Sequence, residues 1–309
     1  MADSLTLEVP EALDGARVDK ALSSLLGVSR LVARQLLDRG VLLEGLPARP
    51  RDRVRTGSTI ETPHPIAEVG LQPEDVAFEV LYEDNALLVI DKPAGVVVHP
   101  GSGTKEGTLA AGLLNRYPEL EGVGEPGRWG LIHRLDKDTS GTLIVARTQA
   151  AHRSLSADLA ARRIGRTYLT LVHGLFPVPT GTIDAPIGRD PSRPTRRAVI
   201  PTGKPAITHY EVIAEYPDDE VTLLEVRLDT GRTHQIRVHL AAIAHPVIGD
   251  RTYSPFNTRV KVPRVFLHAR RVRLAHPDSG ATIEVESPLP PDLTRVLESL
   301  GPGDEPVSD

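Results

Sequence analysis

Strand-forming runs outnumber helical ones along this chain and come in adjacent pairs, so the predicted class is α+β with a mixed, largely antiparallel sheet. Three observations carry that reading. Turn-separated pairs recur, as in Ile207–Tyr216 and Val221–Leu228 across Pro217-Asp218-Asp219. The helical segments are scattered and do not alternate with the strands as a βαβ repeat would require. The first sixty residues have a separate pattern of two short helices followed by short strands, a small α/β unit of their own.

In that unit Arg17–Leu26 and Ser29–Arg39 carry helical periodicity. Val32, Leu36 and Leu37 face inward, Arg30 and Arg34 share another face, Ser29 caps the second helix and Gly40 ends it. Val41-Leu42-Leu43 and the Gly57–Ile60 turn and strand complete it. Arg49, Arg51, Arg53 and Arg55 alternate along what reads as an extended segment, an arrangement suited to tracking phosphates or to guarding an edge strand. The expected divisions are 1–62 for this module, 63–75 for a Pro-bearing acidic linker, 76–300 for the main domain and 301–309 for a frayed tail.

Beyond the linker, Val80–Tyr82 and Leu87–Ile90 form a hairpin closed by Asp91-Lys92-Pro93-Ala94-Gly95. Leu143–Ala146 is a buried strand, Gln149–Ile164 an amphipathic helix and Thr167–Val172 a strand. His234–Ile243 reads as a helix, and Phe266–Leu274 pairs with Thr282–Glu286. Residues 181–204, rich in Pro and Gly and bearing Arg189, Arg193, Arg196 and Arg197, read as a flexible basic arm able to grip a polyanion.

Composition narrows the function. The absence of cysteine excludes disulfides, thiolate nucleophiles and Cys-based zinc sites. No secretory signal and no run of about 18 apolar residues is present, so a cytoplasmic protein is expected. The net charge of −5 hides blocks of opposite sign: nine Lys/Arg against five Asp/Glu in 14–55, nine against three in 151–210, and ten against two in 227–275. Acid gathers in 56–99 and 276–309. A basic face that meets a polyanion is consistent with this, although solvated helices also produce charge blocks.

Several familiar patterns fail. His133-Arg134-Leu135-Asp136 lacks the Gly-rich loop and DFG of a kinase. Gly101-Ser102-Gly103 lacks the context of a dinucleotide site, and no ligand spacing suggests a metal. What remains is the charged loop His133–Gly141 (HRLDKDTSG), with Asp136 as candidate carboxylate, Tyr168 in RTYLTLVHG, and Arg237 in TGRTHQIRVHL. Arg237 could hold a carboxylate ionised, and Tyr168 could offer an aromatic face and a proton-transfer group. Taken singly, each could equally be an ion pair, a core tyrosine or a surface arginine.

Together with DKPAGVVVHPG, GKPAITHYEV and HPVIGD, these segments resemble the pseudouridine synthases that modify large-subunit ribosomal RNA, of the synthase D type. RVDKAL, SRLVARQLLDRG and VRTGSTI resemble the alpha-L RNA-binding motif, with Glu44-Gly45 where Asn-Gly is common. Arg166 stands where lysine is frequent. The resemblance implies that Asp136 is the catalytic carboxylate, that Tyr168 packs on the base and takes part in proton removal, that Arg237 pairs with the aspartate, and that Arg134 fills the gap left by a flipped nucleotide. It implies an RNA partner and a reaction that needs no cofactor; the residues themselves point to Arg30, Arg34, Arg51, Arg53, Arg193, Arg196 and Arg197 as RNA contacts, to no metal and no membrane, and a monomer is the simpler expectation. A tRNA substrate, a noncatalytic RNA-binding or ribosome-assembly protein, and a glycoside hydrolase using Asp136 and Asp138 are the alternatives. The last two have less use for Tyr168, Arg237 and the basic segments together.

Overall fold

The computed structural model describes residues 4–28, 30–63, 71–101, 104, 106–125, 127–193, 195–254 and 259–304. Ser29, most of the expected linker and residues 305–309 of the expected tail lie outside the described residues. The chain divides into two compact units, Met1–Gln72 with Glu125–Gly127, and Pro73–Gly124 with Arg128–Asp309.

In the first unit, β1 (Ser4–Glu8), α1 (Val18–Leu26), α2 (Arg30–Asp38), β2 (Leu42–Leu43), β3 (Leu46–Pro47) and β4 (Thr59–Pro63) follow in order. The strands form an antiparallel sheet in the order β1-β4-β2-β3. Apolar residues at helical spacing on α1 and α2 (Val18, Leu22, Ala33, Leu36) bury against Val41, Val54 and Ile60. The Glu44 carboxylate accepts the Thr59 N–H, so the residue that departs from Asn-Gly ties the β2–β3 turn to β4.

The arginine row at 49–55 is not a strand. Asp52 accepts the Arg49 N–H at 2.6 Å and returns its own N–H to the Arg49 carbonyl, closing a turn around Pro50. A second turn follows at Arg55–Ser58. Two turns within ten residues break the alternation that an extended segment would have imposed.

The second unit contains β5 (Glu79–Glu83), β6 (Leu87–Lys92), α3 (Leu109–Arg116), β7 (Ser140–Ala146), α4 (Gln149–Ala160), β8 (Gly165–His173), β9 (Thr180–Asp184), β10 (Ile187–Arg189), β11 (Arg197–Val199), β12 (Ile207–Tyr216), β13 (Val221–Leu228), α5 (Gln235–Ala242), β14 (Leu267–Ala275), β15 (Thr282–Glu286) and α6 (Pro291–Leu300). Its main sheet runs β5-β6-β7-β14-β8-β13-β12-β9, with β15 also on β14. All pairs are antiparallel except β7 with β14. Every residue of β7 is buried, as expected of a central strand covered on both faces. On one side Leu87, Val89 and Ile144 pack with Ala151 and Leu155 of α4. Elsewhere Leu171, Leu223 and Phe266 pack with Leu293 and Val296 of α6.

Two expectations are corrected. The helix beginning at Gln149 stops at Ala160, because Arg162 takes a left-handed backbone (φ 60) and the Arg163 N–H reaches back to the Asp158 carbonyl. The basic segment 181–204 is no irregular arm. It supplies β9, then the β10–β11 ribbon, with the Asp190 carboxylate accepting the Ser192 and Arg193 N–H groups at its turn.

Candidate active site

The HRLDKDTSG residues form the loop that enters β7. The Thr139 N–H donates to the Asp136 carbonyl at 3.2 Å, closing a turn around Lys137 and Asp138. Gly141 has φ +114, and a Cβ there would sit 2.2 Å from the Ala269 carbonyl, so only glycine allows β7 to approach β14 this closely. From below, the wholly buried Lys92 ammonium donates to the carbonyls of Pro93 (2.6 Å), Val96 (2.9 Å) and Lys137 (3.1 Å). Burial lowers its pKa to about 8, with Asp138 opposing the shift. From the side, Arg264 donates to the Asp138 carbonyl (3.0 Å) and Ser140 Oγ (3.0 Å), and is itself anchored on Asp292. His268 contacts the Ser287 carbonyl through Nε2 (3.1 Å), so Nδ1 is left to accept from Ser140 Oγ (3.0 Å). Asp138 contributes to the loop through its backbone carbonyl, while its side chain is exposed.

Asp136 is held at this loop, 18% exposed, and Arg237 of α5 donates to it through Nη1 at 3.0 Å. The same guanidinium makes a two-bond clasp on the fully buried Asp250, Nε to Oδ2 at 2.7 Å and Nη2 to Oδ1 at 2.9 Å. Burial works against the Arg237 cation, but Asp250 and Asp136 outweigh it and raise its pKa. Burial likewise opposes the Asp250 carboxylate, and Arg237 with the N–H groups of Thr252 and Tyr253 more than offsets it, lowering that pKa. Asp250 thus fixes the guanidinium with Nη1 turned toward Asp136. The Tyr253 ring lies 5.2 Å from the Arg237 guanidinium carbon. Its hydroxyl contacts His234 Nδ1 at 2.8 Å and accepts the Arg197 N–H at 3.0 Å.

Asp136 and Arg134 line two adjoining cavities, of about 490 and about 540 Å³. The first also exposes Tyr168, Arg166 and the segment 228–237. Tyr168 projects from β8 and is 5% exposed, and among the described residues nothing hydrogen-bonds its hydroxyl. Burial raises its pKa, with Arg166 opposing and Asp136 adding to the rise. Burial and the Arg166 cation push the nearby His133 down to about 3. Arg134 is exposed at the rim. The topology therefore brings Asp136, Tyr168, Arg237 and Arg134 to one cavity from a loop, a strand and a helix far apart in sequence.

A family model described as RNA pseudouridylate synthase matches residues 86–242. The chain is 42% identical to "Ribosomal large subunit pseudouridine synthase D" of Nitrosomonas europaea, over 96% of this chain and 88% of that protein. It is 45% identical to "Uncharacterized RNA pseudouridine synthase" of Chloroflexus aurantiacus, over 97% and 94%. The chain belongs to the RNA pseudouridylate synthase family. Among solved structures, "Human RNA Pseudouridylate Synthase Domain Containing 1" superposes with a TM-score of 0.57 at 28% identity, covering 76% of this chain and 98% of that one.

In this pseudouridine synthase the remaining expected arginines are differently placed. Asp19, fully buried on α1, collects three guanidinium groups: Arg17 at 2.7 Å, Arg30 at 3.0 Å and Arg34 at 3.8 Å. Arg30 and Arg34 stay more than half exposed, so the cluster keeps a positive excess facing solvent. Arg53 donates to the Gly15 carbonyl at 2.5 Å, and Arg51 is exposed. Arg193 sits at the β10–β11 turn and is exposed, while Arg196 and Arg197 are half-buried. Sequence reasoning missed Asp250, Lys92, Arg264 and Tyr253. HPVIGD and DKPAG carry two of them, but nothing local in either motif names the partner.

Proposed function

We propose that this enzyme converts specific uridines of large-subunit ribosomal RNA into pseudouridine, with Asp136 as the attacking carboxylate. The observation that carries the reading is the Asp136–Arg237 contact at 3.0 Å, opening on a cavity that also exposes the Tyr168 ring. The name of the Nitrosomonas europaea relative, a ribosomal large subunit pseudouridine synthase, supports the choice of ribosomal RNA.

A target uridine must leave its stack before either face of the ribose can be reached, and Arg134 at the rim is positioned to fill the space it vacates. Arg237 holds the Asp136 carboxylate oriented for attack as the C1′–N1 bond breaks. The freed uracil turns in the cavity and rejoins C1′ through carbon 5, packed on Tyr168, which then assists removal of the carbon-5 proton. The first unit is proposed to be an alpha-L RNA-binding module, its Asp19-linked arginines with Arg51 and Arg53 meeting phosphates, while Arg193, Arg196 and Arg197 do so from the ribbon. The reading places the enzyme in the cytoplasm with its substrate, acting as a monomer, which sedimentation would check.

The decisive experiment is tritium release from RNA labelled at uracil carbon 5. Asp136→Asn is expected to abolish release while RNA binding persists, and turnover near the wild-type rate would remove Asp136 from its assigned role. Removing residues 1–62 is expected to weaken RNA affinity. Unchanged affinity and site selection would leave the first unit without a part in recognition.

A further inference from the structure

Arg166 is a buried cation without a carboxylate. It is 6% exposed, yet among the described residues no Asp or Glu lies within ion-pair distance of it. Among the described residues its one hydrogen bond is a long one, Nη2 to the Leu228 carbonyl at 3.4 Å, and Nε has no partner. A Cβ on Gly231 would meet Nη1 at 2.8 Å, so the absence of a side chain there leaves the guanidinium its place. Thr139 Oγ1 is likewise buried and unpartnered, and both residues line the cavity that holds Asp136 and Tyr168. A lone buried charge costs several kcal/mol or more, so this floor is arranged to receive an anion.

Two anions are available in a bound nucleotide, a phosphate or the uracil as it departs. Depth decides between them. Arg128, Arg134 and Arg162 line the same cavity and are exposed, which places phosphate-seeking charge at the mouth. Arg166 lies two residues before Tyr168 on β8, on the same strand face and equally buried, beside the ring on which the base would pack.

We propose that Arg166 is a further catalytic residue of this reaction, contacting the uracil carbonyl oxygens and holding the negative charge the ring acquires when it leaves the sugar. The inference rests on the function proposed above. Before reaction the charge is on Asp136, paired with Arg237. As the C1′–N1 bond breaks, its electron pair passes to the uracil, and an Asp136 oxygen forms a bond to C1′. The carboxylate becomes a neutral ester, and the ring carries one negative charge spread over N1 and its carbonyl oxygens. When carbon 5 donates an electron pair to C1′, the ester bond returns its pair to Asp136. Loss of the carbon-5 proton and protonation of N1 then complete the isomerisation. Charge thus passes from the Arg237 side of the cavity to the Arg166 side and back, and Arg166 binds the cleaved state in preference to the starting uridine.

Arg166→Met and Arg166→Lys test this in single-turnover reactions on RNA carrying either uridine or 5-fluorouridine at the target position, followed as loss of the N-glycosidic nucleoside. Fluorine stabilises the departing ring anion and lessens the need for the cation. Arg166→Met is expected to slow uridine conversion about 100- to 1000-fold, the scale for removing one donor to a developing oxyanion, with Arg166→Lys intermediate. RNA affinity is expected to stay unchanged, which also reports that the variants are folded. The deficit is expected to shrink on 5-fluorouridine. Equal deficits on both targets would overturn the proposal. So would a loss located in affinity with a shallower salt dependence, since that is a phosphate contact. If the methionine variant does not fold, the lysine variant decides by the same comparison. A wild-type enzyme inactive on RNA would defeat the proposed function itself, whereas an active wild type with undiminished variants defeats only the role of Arg166.

Discussion

Asp250→Asn removes one charge from a buried clasp while keeping the side chain's shape. Arg237 then loses the carboxylate that takes its Nε at 2.7 Å and Nη2 at 2.9 Å, and only the contact to Asp136 at 3.0 Å still balances it. Breaking a buried ion pair from one side costs about 3–5 kcal/mol. For a unit of this size each kcal/mol lowers the melting temperature by about 2–4 °C, so a fall of roughly 6–20 °C is expected. With Asp136 in its proposed role, turnover is expected to fall too, because the guanidinium is free to swing onto Asp136 and occupy the oxygens proposed to attack. Arg237→Met strips the partner from the other side and leaves Asp250 charged and buried, with a similar cost. The double variant carries no stranded charge at this clasp, so its destabilisation is expected to be well below the sum of the two. Denaturant unfolding of the four proteins measures the coupling. Additivity within about 0.5 kcal/mol would refute the account of Asp250 and Arg237 as one unit.

Acid stability gives a second test. Burial holds His133 neutral down to about 3 against an ordinary value of 6.5, so between these pH values the unfolded chain binds a proton that the folded chain refuses. Stability is therefore expected to fall as pH drops through that window, by on the order of a few kcal/mol, and His133→Gln is expected to flatten the slope in urea titrations at pH 7 and pH 4.5. An unchanged slope would assign acid sensitivity elsewhere. Lys92→Met leaves the carbonyls of Pro93, Val96 and Lys137 without their donor. Tritium release is expected to fall about 5- to 150-fold with RNA affinity preserved, because an unsatisfied buried group costs about 1–3 kcal/mol and the Asp136 loop shifts to find new partners. Full activity would mean that the loop holds its shape without the lysine.

The legible parts of this molecule are those whose cause is local. Leu143–Ala146 announces a central strand because a strand covered on both faces is apolar throughout, and the hairpins announce themselves through their turn residues. The amphipathic period of α4 runs on past Ala160, but its end depends on the left-handed backbone of Arg162, which the period does not encode. The Pro- and Gly-rich basic segment looked irregular because its order comes from Asp190 closing a turn and from a hydroxyl of Tyr253, 56 residues away. Tyr168 and Arg237 stand out as candidates by residue type, but their joint role with Asp136 comes only from resemblance to a family, since neither carries a local mark of its partner. Asp250 and Arg264 were not found at all. Each acts through a partner supplied by folding, Asp250 on Arg237 and Arg264 on Ser140, 124 residues apart.

β14 lies between β7 and β8 in the sheet although the ribosome makes it long after both. Ser140 and His268, which meet across that join, are 128 residues apart. At about 5–20 residues per second, the strands on either side wait on the order of ten seconds for the one that joins them. Until then β7 and β8 present unpaired edges, and the loop holding Asp136 has neither Arg264 nor the close packing at Gly141 to shape it. A nascent chain thus lacks the assembled site until β14 is made. The same interval is when its most apolar strands are open to mispairing with other chains. The order of synthesis delays activity and sets the interval in which a chaperone has the most to protect.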